Sequence, residues 1–289
     1  MRGTLLVLLA GCAFACNAFA AQPAASAKRH NAGAGNGALN LKSSTALVVE
    51  QGGRRVLYAK NVDAVVPIAS ITKLMTALVV VESGLPLDER IAISKEDRDT
   101  SKRIRSRLKN GMELTRSDLL KLALMASENR AAAALSRAYP GGTRAFVAAM
   151  NQKALELGMP GTRFVDGTGL SSENVSTAQD LVWLVEAAYR HPLIREYTTD
   201  SSHNVEFDKG LQIRFSNSNR LVKNREWEIG LSKTGYLDAA GRCLVMQAQI
   251  GETPVIIVLL HSWGQLTRIG DANRIKRWIE SRFSPQPAG

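Results

Sequence analysis

The amino-acid sequence predicts an α/β fold of the α+β type, in which a central antiparallel sheet with flanking helices carries an inserted all-helical lobe. Three observations lead there. Apolar runs of strand character lie at both ends, ALVVEQ and RVLYA early, RCLVMQAQI and TPVIIVLLHS late. Apolar residues at helical spacing fill the middle of the chain. A closing stretch from Leu266 to Phe283 places Ile269, Ala272, Ile275, Trp278 and Ile279 on one stripe. A cleft is expected where lobe and sheet meet.

In chain order, residues 1–20 combine Arg2, an apolar run from Leu5 to Phe14, and Ala18-Phe19-Ala20 as a small-x-small cleavage site. Together these make a secretory signal peptide cleaved after Ala20. The alternative processing is lipidation at Cys12, because Leu9-Ala10-Gly11-Cys12 is similar to a bacterial lipobox. Cleavage after Ala20 leaves Cys243 as the sole cysteine, so the fold rests on its core without an intramolecular disulfide. Residues 21–43 are rich in Ala, Gly, Asn, Ser and Lys and read as a flexible linker. Residues 44–283 read as one domain with the helical lobe at about 95–200, and residues 284–289 as a disordered tail.

With 37 Lys and Arg against 26 Asp and Glu, the net charge of +11 favours an anionic partner. Export and an aromatic content of 6% argue against nucleic acid, leaving an anionic polymer outside the cytoplasm. No stable membrane anchor is expected.

Within the domain, Gly52-Gly53 turns a first hairpin. Pro67 ends that segment, and a helix starts at Ser70 and runs toward Gly84. Leu87 to Ser94 holds a short strand, and the basic run Lys95 to Lys109 reads as a solvated loop. Leu114 to Tyr139 is helical with a break at Ser127-Glu128-Asn129. Helices follow at Thr143 to Leu157 and Thr177 to Arg190, the latter stopped by Pro192. From Val205 the pattern turns to strands: VEF with LQIRF, Ile229 to Lys233, then the long apolar pair.

Candidate chemistry begins at Ser70. A lysine three residues on, Lys73, lies one turn along on the same helix face, within reach of the hydroxyl. A serine needs a neighbour that takes its proton, and lysine serves once burial or nearby cations lower its pKa. The pattern is not unique, since Ser106-Arg107-Leu108-Lys109 repeats it, but that copy lacks an apolar helix to bury its lysine. Ser127-Glu128-Asn129 sits on the helix break, and its pattern recurs at Ser172-Glu173-Asn174 and Ser202-His203-Asn204. Lys233-Thr234-Gly235 occurs once, at the end of a strand.

Ser-x-x-Lys at a helix start, Ser-x-Asn in a helical lobe and Lys-Thr-Gly on a strand, in that order, are the signature of penicillin-binding proteins and class A β-lactamases. With PIASITKLMTA, LALMASENRAAAA, TRFVDGTGLSSENVSTAQDL and IGLSKTGYLDAAGRCLVMQA, the chain resembles low-molecular-mass penicillin-binding proteins of the D-alanyl-D-alanine endopeptidase (7/8) type, from about Thr45 to Phe283. The resemblance implies a DD-peptidase/β-lactamase-like fold and a periplasmic serine peptidase. Such an enzyme hydrolyses D-Ala to meso-diaminopimelate cross-links of peptidoglycan through an acyl-enzyme, and β-lactams inhibit it.

It also implies roles. Ser70 is the nucleophile, Lys73 its proton acceptor and Ser127 a relay to the leaving amine, assisted by Lys233, whose charge also keeps Lys73 from holding its proton. Asn129 binds the substrate backbone, Lys233 and Thr234 its carboxylate, and the N–H groups of Ser70 and Tyr236 the oxyanion. Gly235 leaves room for a substrate strand. No metal or cofactor is implied.

Glu128 stands where the signature has Asp and is expected to point away from the cleft. No Glu-x-x-x-Asn follows where class A β-lactamases carry a deacylating glutamate. His191, His203 and His261 are scattered singly, and neither Gly-x-Ser-x-Gly nor His-Glu-x-x-His occurs. The competing readings are a D-alanyl-D-alanine carboxypeptidase on the same fold, a β-lactamase, and a non-catalytic wall-binding or β-lactam-sensing protein. The absent glutamate argues against the β-lactamase, and the complete nucleophile set against the last.

Overall fold

A computed structural model describes residues 39–52, 55–98, 106–207 and 210–283. The leader, most of the linker, the tail, Gly53 and part of the basic run lie outside the described residues. In chain order the elements are β1 (Thr45–Glu50), β2 (Val56–Lys60), β3 (Val66–Pro67), a 3₁₀ turn (Ala69–Thr72), α1 (Lys73–Glu82), β4 (Arg90–Ala92), β5 (Glu113–Thr115), α2 (Arg116–Met125), α3 (Asn129–Arg137) and α4 (Gly142–Glu156). Then come β6 (Val175–Ser176), α5 (Ala178–Tyr189), α6 (Pro192–Thr199), β7 (Ser202–Phe207), β8 (Leu211–Ser216), β9 (Glu228–Leu237), β10 (Gly241–Ile250), β11 (Thr253–Ser262) and α7 (Thr267–Phe283).

The central sheet has the order β2-β1-β11-β10-β9, with β1 pairing antiparallel to both β2 and β11. Strands from both ends of the chain therefore form one sheet. Its inner strands are buried on both faces, which is why β1, β10 and β11 read as nearly unbroken apolar runs. Alternate residues sort between the two faces. Ala46, Val48, Leu244, Met246, Ile257 and Leu259 pack with Ala272, Ile275 and Ile279 of α7. Leu47, Val49, Val245, Ile256 and Val258 join the larger core that contains α1, α5 and the lobe helices.

α1 is apolar on all sides because it runs through that larger core, and its first eight residues are buried. Thr115 caps α2, its hydroxyl accepting from the Asp118 N–H, and Thr177 caps α5 in the same way through Asp180. β4 falls in the short strand expected at Leu87 to Ser94, whereas β5 and β6 lie in the region read as all-helical, pairing with β4 and β3, and α5 packs against the sheet rather than only against the lobe.

Three further points extend or correct those expectations. Pro192 ends α5 as anticipated but also opens α6 at its first turn, where the missing N–H costs nothing. β7 and β8 pair as read, in a separate two-stranded sheet. The linker ends before residue 43, because Leu41 is buried and Ser43 is held by Asp271 of α7. The Asp271 carboxylate accepts from the N–H of Lys42 (3.1 Å) and of Ser43 (2.7 Å) and from the Ser43 hydroxyl (2.6 Å).

Candidate active site

Ser70 lies in the 3₁₀ turn that feeds α1, not in the α-helix itself, and Lys73 is the first α-helical residue. The turn is reached through Ala69 at φ 48°, a left-handed conformation that a residue with a Cβ adopts at a cost. Gly169 makes it possible. It has φ +77°, and a Cβ there would stand 2.1 Å from the Ala69 carbonyl oxygen and 3.0 Å from Ser70 Cα.

Lys73 is fully buried. Its Nζ lies 2.9 Å from Ser70 Oγ, 2.8 Å from Asn129 Oδ1 and 2.5 Å from the Thr168 carbonyl. Burial lowers its pKa from 10.5 to about 7, against the opposing carboxylates of Asp166 and Glu128. A neutral amine that donates to Asn129 and Thr168 keeps its lone pair for the Ser70 O–H. That is the geometry of a nucleophile with its base.

Asn129 arrives by the helix break. Ser127 adopts φ 59°, and Glu128 caps α3 by accepting from the Arg130 N–H at 3.2 Å. The capping group is thus Glu128, and the Ser127 hydroxyl turns to Lys233, whose Nζ donates to it at 2.8 Å. Lys233 is buried on β9 and also donates to the Thr234 carbonyl at 2.9 Å. Its pKa falls well below the usual lysine value through burial first, then through the positive charges of Lys73 and Arg268. Burial also leads at Lys73, so Lys233 is not the main cause of its low pKa.

Gly235 sits against the nucleophile turn. A Cβ there would stand 3.0 Å from the Ile68 carbonyl oxygen and 3.1 Å from the Ser70 nitrogen, so the glycine makes room for that turn. Tyr236 is exposed, with its hydroxyl donating to Asp238 at 2.7 Å and the Arg242 guanidinium 4.4 Å over its ring.

All eight residues singled out in the sequence fall on the three elements around Ser70, and the repeated motifs fall elsewhere. Lys109 of the second Ser-x-x-Lys is exposed, while Ser106 Oγ accepts from the Leu108 N–H. Asn174 is buried and accepts from the N–H of Val165 and Asp166.

Three residues of the site were not anticipated. Ser218 accepts the Thr234 hydroxyl at 2.7 Å, and its own N–H bonds the Met125 carbonyl at the end of α2. Arg268 is half-buried; its Nε and Nη1 lack hydrogen-bond partners among the described residues, and desolvation lowers its pKa to about 10. Asp166 gathers four donors: the N–H of Thr168 (2.6 Å), Gly169 (2.6 Å) and Ser171 (2.9 Å), and the Thr168 hydroxyl (2.7 Å). It thereby fixes the carbonyl that Lys73 meets. No periodicity marks such residues; only a loop carrying Asp, Gly and Thr together hints at a built turn.

A serine bonded to a buried lysine and a second serine bonded to a second buried lysine, with the Arg268 guanidinium acting on the second, define a cationic site with the geometry of serine acyl transfer. The chain belongs to the peptidase S11 family, described as D-alanyl-D-alanine carboxypeptidase, which matches residues 31–263. It is 48% identical over 242 residues to a D-alanyl-D-alanine endopeptidase of Pseudomonas aeruginosa, covering 83% of this chain and 78% of the relative. It is 45% identical over 250 residues to a D-alanyl-D-alanine endopeptidase of Escherichia coli, covering 86% and 81%. Among solved structures it is similar to the Streptomyces K15 DD-transpeptidase, with a TM-score of 0.76 at 28% identity, covering 83% of this chain and 97% of that one.

Proposed function

We propose that this protein is a periplasmic serine D,D-endopeptidase that hydrolyses D-Ala to meso-diaminopimelate cross-links in peptidoglycan and is acylated by β-lactams. The observation that carries the reading is the three-way contact of the buried, low-pKa Lys73 with Ser70, Asn129 and Thr168.

Ser70 Oγ attacks the D-Ala carbonyl as its proton passes to Lys73, and the N–H groups of Ser70 and Tyr236 hold the oxyanion. The C–N bond then breaks, and the leaving amine takes a proton through Ser127, which Lys233 holds in place. Lys233, Thr234 and Arg268 meet the free carboxylate of the leaving D-residue, and Asn129 binds the acyl-side backbone. Gly235 keeps β9 close to the nucleophile turn. Water hydrolyses the ester. Asp166, the carboxylate that fixes the Thr168 loop, is occupied by its four donors rather than free to activate that water, and a penicilloyl adduct is expected to be long-lived.

The endopeptidase names of the relatives favour this reading over carboxypeptidase action. Mass spectrometry of products from cross-linked muropeptide dimers and from pentapeptides decides between them. Dimers are expected to become monomers faster than pentapeptides lose D-alanine; free D-alanine released with dimers left uncut overturns the reading. Ser70→Ala should abolish labelling by fluorescent penicillin while the fold persists.

A further inference from the structure

Beside Asn129 and Thr168, which hold Lys73, a cavity of about 500 Å³ opens between α3, the loop after Asp166 and residues 96–98. It shares both of those residues with the nucleophile cluster and none with Lys233, Thr234 or Arg268. The part of a substrate that enters it is therefore the acyl side and not the leaving residue. Four charged residues line this cavity, and two are already committed. Asp166 is bound by its own loop, as above. Asp97 is bound by Arg137 through Nε (2.9 Å) and Nη2 (3.0 Å) and by the Ser94 N–H (2.7 Å). The two that remain are exposed and of opposite sign, Glu96 and Arg98, with Ser171 and Ser172 across from them. Neither makes an ion pair among the described residues.

An acceptor of positive charge and a donor to negative charge, two residues apart on the lining of one cavity, match a head that carries an ammonium and a carboxylate on one carbon. In a D-Ala to diaminopimelate cross-link, the residue before the donor D-Ala is itself diaminopimelate, and its side chain ends in that head. We infer that this cavity is a specificity subsite for the zwitterionic side chain of the residue preceding the scissile D-Ala, with Arg98 taking its carboxylate and Glu96 its ammonium. The inference rests on the peptidase reading above and names which part of the substrate this second compartment reads.

The test uses three pentapeptides that differ only at the third-residue head: free, amidated at the side-chain carboxylate, or acetylated at the side-chain amine. The same three heads are placed on the donor strand of cross-linked dimers. The protein should prefer the free head by about fivefold in kcat/KM over either modified one. Arg98→Gln should erase the preference over the amidated head and keep that over the acetylated head; Glu96→Gln should do the reverse. Ratios within one variant cancel any partial loss of folded protein.

Equal kcat/KM for the three heads, or variants that leave both preferences intact, overturns the subsite. A preference in pentapeptides with dimers left uncut overturns the endopeptidase reading and leaves the subsite standing. Dimers cut without regard to the head do the opposite. With neither series turned over, both fall.

Discussion

Lys73 shows how a single residue sets both rate and stability. Taking an ammonium out of water disfavours the charged form, so the folded chain holds this amine near neutrality at a pH where the unfolded chain keeps it charged. Acylation by penicillin should therefore rise as pH passes through about 7, where Lys73 becomes a base; stopped-flow labelling across pH 5–9 checks this, and a flat profile removes Lys73 from that role. The stability consequence has a definite sign. Between about 7 and the ordinary lysine pKa of 10.5 the unfolded state binds the extra proton, so the contribution of Lys73 to stability rises with pH in that window and is unfavourable below it.

Lys73→Ala should suppress acylation by every substrate, whereas Lys233→Ala and Arg268→Gln should act mostly through substrates with a free carboxylate. Their kcat/KM on carboxylate substrates should fall by roughly tenfold or more, and on amidated ones by less. Ser70, Lys73 and Lys233 were singled out by motif spacing taken with its context and the family resemblance, since Ser106 and Lys109 repeat the first spacing without an apolar helix. Arg268, Ser218 and Asp166 were not, because each comes from a different part of the chain and becomes meaningful only after folding.

At the scale of elements, the site depends on one strained turn clamped from two sides by glycines. Gly169 leaves no room for a Cβ beside Ala69, and Gly235 leaves only a tight fit beside Ile68, Ala69 and Ser70. Gly169→Ala combines a left-handed φ with backbone contact at 2.1 Å, so it should cost about 3 kcal/mol or more and slow acylation beyond what lost stability explains. Chemical denaturation alongside labelling of the residual folded protein separates the two effects.

Helices were legible where an apolar stripe met a capping residue, as in α5 with Thr177 and α4 before Gly158. The 3₁₀ turn was read as α-helix because local propensity does not register the pull of Gly169 and Gly235. The two-residue strands β3 and β6 carry no pattern at all; tertiary contact alone creates them. α6 escaped because proline both stops one helix and starts the next.

The described domain is a sheet with α7 on one face and α1, α5 and the lobe on the other, and the cleft lies where the end of α2, the start of α1 and the edge strand β9 converge. Among the described residues no helix is long and apolar enough to cross a membrane. With a charge of +11, action on intact sacculi should slow with added salt more than action on small muropeptides does, because only the polymer presents many carboxylates at once. Equal salt sensitivity would sink the electrostatic account.

The bonds from Asp271 to Lys42 and Ser43 give the domain one further property. They tie the entry of the chain to its last helix, so the polypeptide is already a ring closed by hydrogen bonds. A covalent version needs only a peptide long enough to run back along α7, about 18 Å from residue 271 to residue 283. Such a circular permutant, joined through about eight linker residues and opened at the exposed Gly210 between β7 and β8, should fold and still be labelled by fluorescent penicillin at Ser70.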